Sequence, residues 1–253
     1  MVVAIPARLA SSRLPGKVLA DIAGRPMLQH VVERCRLARG VDALVVCTDS
    51  PEVQAAATAW GVQALLTPSS CSSGSERLAA VIPTLLAAGG GAAEHTLVIN
   101  AQGDQPLLDP AIIEAMVERF AALGRPAVLT PVHPLPAAKL HDPNVVKVLR
   151  AADGRAITFS RSALPHVRDL PPEHWAERTT YWGHVGLYGY RGDVLAGWNA
   201  LPPSSLEELE KLEQLRLIEA GVPIATFEVE QDCLSVDTPE QLEQARRLVA
   251  EAA

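Results

Sequence analysis

The sequence predicts an α/β fold: a mostly parallel central sheet covered by helices, with a smaller β-rich lobe inserted or appended. Three observations predict it. Short apolar runs alternate with helix-period segments through the first half, the connections between them are short, and the second half is less regular and richer in strand patterns. At 253 residues, 48% hydrophobic and 20% charged, the chain can bury a large core, which excludes a wholly disordered protein.

The elements follow in order. Val2–Ile5 reads as a buried strand, and Met27–Arg39 as a helix with Met27, Leu28, Val31, Val32 and Cys35 on one face, ended by Gly40. Ala43–Cys47 is a second strand. Ser50 then caps a helix that has Pro51 in its first turn. Val62–Leu66 is a strand, Arg77–Leu86 a helix, Thr96–Asn100 a strand and Pro110–Phe120 a helix. In the second half Ala127–Val132, Val145–Leu149, His184–Tyr190 and Ile224–Val229 read as strands. Ser205–Ala220 reads as one helix with Ser205 and Glu208 in capping-box spacing, and Thr238-Pro239-Glu240-Gln241 opens a last helix.

Charge and cysteine narrow the function classes. Twenty-two Lys and Arg against 29 Asp and Glu leave a formal charge of −7, which argues against duplex nucleic acid, and 4% aromatics offer few platforms for single strands. The four cysteines show no C-x-x-C spacing, so a reduced compartment without a zinc site is expected, with Cys35 and Cys47 as core side chains. No signal peptide is expected. The uncharged stretch Leu78–Ala93 is too short and too broken by Pro83 and Gly89-Gly90-Gly91 to cross a bilayer. The expectation is a cytoplasmic protein with no membrane and no nucleic-acid partner.

In a mostly parallel sheet, ligands bind beyond the carboxyl ends of the strands. Three polar segments fall there. After the first strand, Ala7-Arg8-Leu9-Ala10-Ser11-Ser12-Arg13-Leu14-Pro15-Gly16-Lys17 gathers Arg8, Arg13 and Lys17, which suits an anion; a solvated basic loop is the plain alternative. It is neither a P-loop nor a dinucleotide fingerprint. Asn100-Ala101-Gln102-Gly103-Asp104 leaves Asp104 at the sheet edge, where it can hold Mg²⁺ or cap its own turn. Asp237 offers a second carboxylate, either for metal or for the dipole of the helix after it. Ser73-Gly74-Ser75-Glu76-Arg77 is a tight turn into a helix, a phosphate contact or a simple cap. Period two puts His184, Gly186 and Tyr188 on one strand face, and Glu213 falls on the side marked by Leu206 and Leu217. No nucleophile constellation stands out, so the chemistry the chain could support is the positioning of two anionic partners around a metal.

Taken together, IPAR-x-x-SSRLPGK (5–17), SGSERLA (73–79), N-x-QGD-x-P (100–106), DPN-x-VKV (142–148), FSR (159–161), HVGLYGYR (184–191), LE-x-LEQLR (209–216) and VDTPEQLE (236–243) resemble the 3-deoxy-manno-octulosonate cytidylyltransferase family from residue 5 to about 248. The resemblance implies a Rossmann-like nucleotidyltransferase fold in a single domain, 1–253. Residues 1–125 would be its nucleotide-binding half, and 126–253 its sugar-binding and dimerisation half with the C-terminal helix. It implies Mg²⁺-dependent transfer of CMP from CTP to the 2-hydroxyl of 3-deoxy-D-manno-octulosonate (Kdo), giving CMP-Kdo and diphosphate for lipopolysaccharide or capsule, by a homodimer.

By motif, Ala7, Arg8, Ser11, Arg13, Lys17, Ser73, Gly74 and Arg77 would bind CTP. Asp104 and Asp237 would hold the metal and act with Lys17 in catalysis, and Gln102, Arg161, His184, Tyr188, Glu213 and Gln214 would line the sugar-acid pocket. The chain departs from the family pattern at Ser70-Cys71-Ser72, Ser75, Gln105 and His166. Two other readings stay open: a cytidylyltransferase for a related sugar acid such as 8-amino-Kdo, and a non-catalytic nucleotide-binding protein on the same fold.

Overall fold

A computed structural model describes residues 1–11, 14–230 and 232–251. In chain order its elements are β1 (Val2–Ala7), β2 (Asp21–Ile22), β3 (Arg25–Pro26), α1 (Met27–Leu37), β4 (Ala43–Thr48), α2 (Pro51–Ala59), β5 (Gln63–Leu66), α3 (Gly74–Ala79), α4 (Ile82–Ala88), β6 (Leu97–Asn100) and α5 (Pro110–Ala122). They continue with β7 (Val128–Pro134), β8 (Lys147–Arg150), β9 (Ala156–Ser160), β10 (Trp182–His184), β11 (Tyr188–Arg191), α6 (Gly192–Ala196), α7 (Ser205–Glu210), α8 (Gln214–Glu219), β12 (Ile224–Glu228) and α9 (Pro239–Glu251).

The chain forms two compact units. The first comprises Met1–Arg125, Leu187–Asn199 and Cys233–Ala253; the second comprises Pro126–Gly186 and Ala200–Asp232. Residues 126–253, expected as one half, therefore divide between the units, and 187–199 and 233–253 belong with 1–125.

In the first unit the strands lie in the order β5-β4-β1-β6-β11. All neighbours are parallel except β11, which runs antiparallel to β6 and sets Tyr188 opposite Asn100. Val2, Val3, Ala4 and Ile5 are fully buried, as a strand covered on both faces requires. The expected face of α1 (Met27, Leu28, Val31, Val32, Cys35) is the buried one. Ser50 Oγ accepts from the Val53 N–H to open α2. At α9 the Gln241 side chain reaches back to accept from the Asp237 and Thr238 N–H groups, while Thr238 Oγ1 accepts from the Gln241 N–H. A core of Ile22, Met27, Val236, Leu242 and Ala245 fastens this region down, each large side chain contributing about 1.5–3 kcal/mol of burial. That core fixes the residue before Asp237. All four cysteines are free and buried, and burial pushes the Cys35 and Cys47 thiols up to about 12, so both are inert core side chains.

In the second unit β12 runs parallel to β7, and β7, β10, β8 and β9 follow as antiparallel neighbours. β9, absent from the sequence reading, holds Phe159 and Ser160, both buried.

Three expected elements are corrected. The helix at 77–86 is two helices, because Pro83 lacks an N–H and is accommodated only in a first turn, so the chain restarts at Ile82. The helix at 205–220 is also two, broken where Lys211 takes a left-handed conformation at φ 54°; its cap is Ser204, which accepts from the Glu207 N–H, and not Ser205. The strand at 184–190 is two strands. His184 pairs with Val132 on β7, whereas Tyr188 pairs with Asn100 on β6, so the two do not share one strand face.

Candidate active site

The loop leaving β1 closes on Gly16, whose φ of +68° favours glycine and whose N–H reaches the Leu9 carbonyl. The turn delivers Lys17 inward. Its Nζ lies 2.6 Å from Asp104 Oδ2, 2.8 Å from Asp237 Oδ1 and 3.2 Å from the Val236 carbonyl oxygen. Burial alone would lower the ammonium's pKa, but the two carboxylates outweigh it and hold the group above its ordinary value. Three residues separated by 87 and 220 positions thus meet in the first unit.

Backbone and side-chain ties hold the two aspartates together. The Val236 N–H donates to the Asp104 carbonyl at 2.9 Å, and Gln105 Nε2 donates to Ser235 Oγ at 3.3 Å. Gly103 leaves no room for a side chain: a Cβ there would stand 2.9 Å from the Pro6 carbonyl oxygen. A Cβ on Gly74 would crowd Pro6 at 3.2 Å and the Asn100 amide at 3.4 Å, so the turn before α3 lies against the ends of β1 and β6.

The donor set fits a divalent cation. Two carboxylates and a carbonyl already share one cationic point, and hard oxygen donors in this number suit Mg²⁺, which keeps waters and phosphates as its other ligands. Among the described residues no group of three or more His, Cys, Asp or Glu makes an all-protein metal cage.

The other expected nucleotide residues are placed unevenly. Ala7 is buried at the end of β1, Ser11 is half-buried, and Arg8 is exposed with no ion pair among the described residues. Arg13 lies outside the described residues. Ser73 Oγ accepts from the Glu76 N–H at 3.1 Å, so it caps α3. Arg77 is 3% exposed and donates to Thr67 Oγ1 and Asp49 Oδ2, so its guanidinium is paired within the first unit.

The expected sugar-acid residues divide between the units. Gln102, which donates to Asn100 Oδ1 at 3.2 Å, and buried Tyr188 lie in the first; Arg161, His184, Glu213 and Gln214 lie in the second. His184 Nε2 meets Thr130 Oγ1 at 3.0 Å and its ring packs edge-on against Phe159. Burial, with a smaller push from His133, drops its pKa to about 3, so the ring is neutral. Arg161 Nε donates to the Glu210 carbonyl and Nη1 to the Pro143 carbonyl. Gln214 is buried, and its Nε2 has no partner among the described residues. Glu213 opens α8 just past the Lys211 break, in place of the helix-face position expected.

Sequence reasoning passed over Asn100, fully buried with Nδ2 lacking a partner among the described residues, and the Gln105–Ser235 tie. The signal for Asn100 was a polar residue closing an apolar strand. The Gln105–Ser235 tie spans 130 positions and had none.

Residues 2–231 match the family model described as Cytidylyltransferase. The chain is 42% identical over 250 residues to the 3-deoxy-manno-octulosonate cytidylyltransferase of Escherichia coli, covering 99% of this chain and 96% of the relative. It is also 42% identical over 251 residues to that of Myxococcus xanthus (strain DK1622), covering 98% and 96%. The chain belongs to the 3-deoxy-manno-octulosonate cytidylyltransferase family. A solved structure of CMP:2-keto-3-deoxy-manno-octonic acid synthetase complexed with CTP superposes with a TM-score of 0.90 at 41% identity, covering 100% of this chain and 99% of that one. As a member of this cytidylyltransferase family the protein is a nucleotidyltransferase, and its mostly parallel first-unit sheet is the nucleotidyltransferase fold.

Proposed function

We propose that the protein transfers CMP from CTP to the 2-hydroxyl of Kdo, releasing diphosphate, with Asp104 and Asp237 as the Mg²⁺ ligands. The observation that carries this reading is the meeting of Lys17, Asp104 and Asp237 beyond the carboxyl ends of β1 and β6. Family membership and the CTP-bound structural relative support the choice of nucleotide.

Both substrates are anions, so the protein has to neutralise charge before they can approach. Bound Mg²⁺ would supply Lewis-acid stabilisation of the phosphate oxygens. Asp104 and Asp237 would hold that cation, and Lys17, which they now bind, would then offer its ammonium to the triphosphate; by motif Arg8 and Arg13 would add charge against the leaving diphosphate. Ser11, Ser73 and Gly74 would bring hydroxyl and backbone groups to the nucleotide, and Arg77 ties its own helix to Thr67 and Asp49.

For the sugar acid, Arg161 is the carboxylate partner. Two of its nitrogens are tied to carbonyls, so the guanidinium is pre-aimed and loses little freedom on binding. Neutral His184 serves as a hydrogen-bonding group oriented by Thr130. In the second unit the buried Gln214 amide keeps Nε2 without a partner among the described residues, and Glu213 adds a carboxylate; Gln102 and Tyr188 are the polar groups proposed for the acid in the first unit. Alignment of the 2-hydroxyl with the α-phosphorus supplies the rest of the rate gain.

Diphosphate release tests the reading. It is expected only when CTP, Mg²⁺ and a 3-deoxy-ulosonic acid are present together. Equal turnover with UTP, or none with Kdo or 8-amino-Kdo, contradicts it. The homodimer and the cytoplasmic, lipopolysaccharide or capsule setting implied by the family belong to the same proposal, and sedimentation velocity tests the first. Among the described residues, no helix is long and apolar enough to cross a membrane.

A further inference from the structure

We propose that Glu210 is the positioning residue of the second unit's acceptor groups, holding Arg161 and the Glu213–Gln214 turn in one fixed relation. The inference rests on the reading above, which makes Arg161, Glu213 and Gln214 contacts of the sugar acid, and goes beyond it by naming the residue that sets them.

The geometry is specific. The two carboxylate oxygens of Glu210 go to adjacent residues of the β9 exit: Oε1 accepts from Ser160 Oγ at 2.6 Å, and Oε2 accepts from the Arg161 N–H at 2.8 Å. The carbonyl oxygen of Glu210 accepts from Arg161 Nε at 2.7 Å. One residue thus grips both the backbone and the guanidinium of Arg161. The Pro143 carbonyl takes Nη1 at 2.9 Å, leaving Nη2 without a partner among the described residues. A guanidinium held at Nε and Nη1 presents one remaining edge, the shape that pairs with a carboxylate.

The grip acts on the other side through a strained turn. Glu210 ends α7, and Lys211 takes φ 54°, a left-handed conformation that a non-glycine residue adopts only when its surroundings enforce it. The Lys211 N–H is tied to the Glu207 carbonyl at 2.8 Å. Glu213 and Gln214 follow within one turn, and Gln214 is buried with an unpartnered Nε2. A buried amide donor left unpaired costs stability unless a ligand satisfies it. The orphaned donor and the strained turn are independent observations on the same segment. Fixing Glu210 against Ser160 therefore fixes where α8 begins. Lys147, fully buried on β8, feels the charges of both Arg161 and Glu210, so the carboxylate also balances two neighbouring cations.

Steady-state kinetics on Glu210→Ala, Glu210→Gln and Arg161→Ala test this, with diphosphate release as the readout and the thermal midpoint measured alongside. Glu210→Ala is expected to raise KM for the ulosonic acid about tenfold or more while KM for CTP stays within about twofold. Both variants keep the backbone carbonyl that takes Arg161 Nε; Glu210→Gln also keeps one side-chain acceptor, and is expected to restore most of the KM for the acid. It also keeps the side-chain volume, so it reads the proposal if the alanine variant fails to fold: a rise of about threefold in acid KM alone is then the expected result. Equal rises in both KM values, or no rise in either, overturn the inference. If Arg161→Ala raises acid KM but neither Glu210 variant does, positioning by Glu210 is wrong and the sugar-acid reading stands. If Arg161→Ala leaves acid KM unchanged, both are wrong.

Discussion

Replacing Lys17 by Met probes the charge arrangement directly. One ammonium lies 2.6 Å from Asp104 Oδ2 and 2.8 Å from Asp237 Oδ1, so those oxygens can be no further apart than the two distances end to end, about 5.4 Å. At an effective dielectric constant of about 20, two negative charges at that separation repel by about 3 kcal/mol. The carboxylates are 22% and 33% exposed, and solvent screening brings the net cost to about 1–2 kcal/mol. Without metal, Lys17→Met should therefore melt about 2–8 °C below the unsubstituted protein. Excess Mg²⁺ should restore most of that loss. The same arithmetic sets the metal affinity. The unsubstituted protein has to break two ion pairs before a cation can take both oxygens, and the variant does not. Calorimetric titration with Mn²⁺ in the absence of nucleotide should show the variant binding about tenfold more tightly. Turnover should still fall, because the ammonium is lost from the leaving diphosphate. Equal Mn²⁺ affinities in the two proteins, together with a melting midpoint in the variant that ignores Mg²⁺, would refute the reasoning.

Other consequences follow from single contacts. Asp104→Asn should cut turnover by about a thousandfold while circular dichroism shows an intact fold; full activity would remove Asp104 from the metal site. Gly103→Ala places a methyl 2.9 Å from a backbone oxygen and should cost about 1–3 kcal/mol of stability, read as a lower urea midpoint at unchanged m. Ser235→Ala frees Gln105 Nε2 in a buried setting and should cost about 1 kcal/mol, read in the same titration. His184 is neutral when folded, with a pKa of about 3 against about 6.5 when unfolded. Between those values the unfolded chain binds more protons, so stability falls as pH drops, by about 2 kcal/mol from pH 6.5 to 5; His184→Gln should flatten that slope.

Much of the first unit was legible because its signals are local. The strand at Val2–Ile5 is a continuous apolar run, α1 has a regular buried face, and Ser50-Pro51 and Thr238-Pro239-Glu240-Gln241 carry complete cap chemistry within four residues. The second unit was harder for physical reasons. His184 and Tyr188 stand four apart on an apparent alternating run, and only their partners, Val132 and Asn100, reveal two strands. Lys211 breaks the 205–220 helix with no glycine to mark the spot, since the Glu210 ties that hold it come from residues some 50 positions away. Lys17, Asp104 and Asp237 were each recognisable, but that the lysine would lie between both aspartates depended on contacts across 87 and 220 positions. Arg77, expected beside the nucleotide, is buried and bonded to Thr67 and Asp49, partners its own motif does not contain.

The most direct measurement is diffraction from crystals grown with CTP and Mn²⁺, using the anomalous signal of manganese. The account predicts a manganese peak bound by both Asp104 and Asp237, with Lys17 Nζ moved from their oxygens onto the triphosphate. A complex in which Lys17 still bridges the two aspartates and the metal sits elsewhere would contradict it.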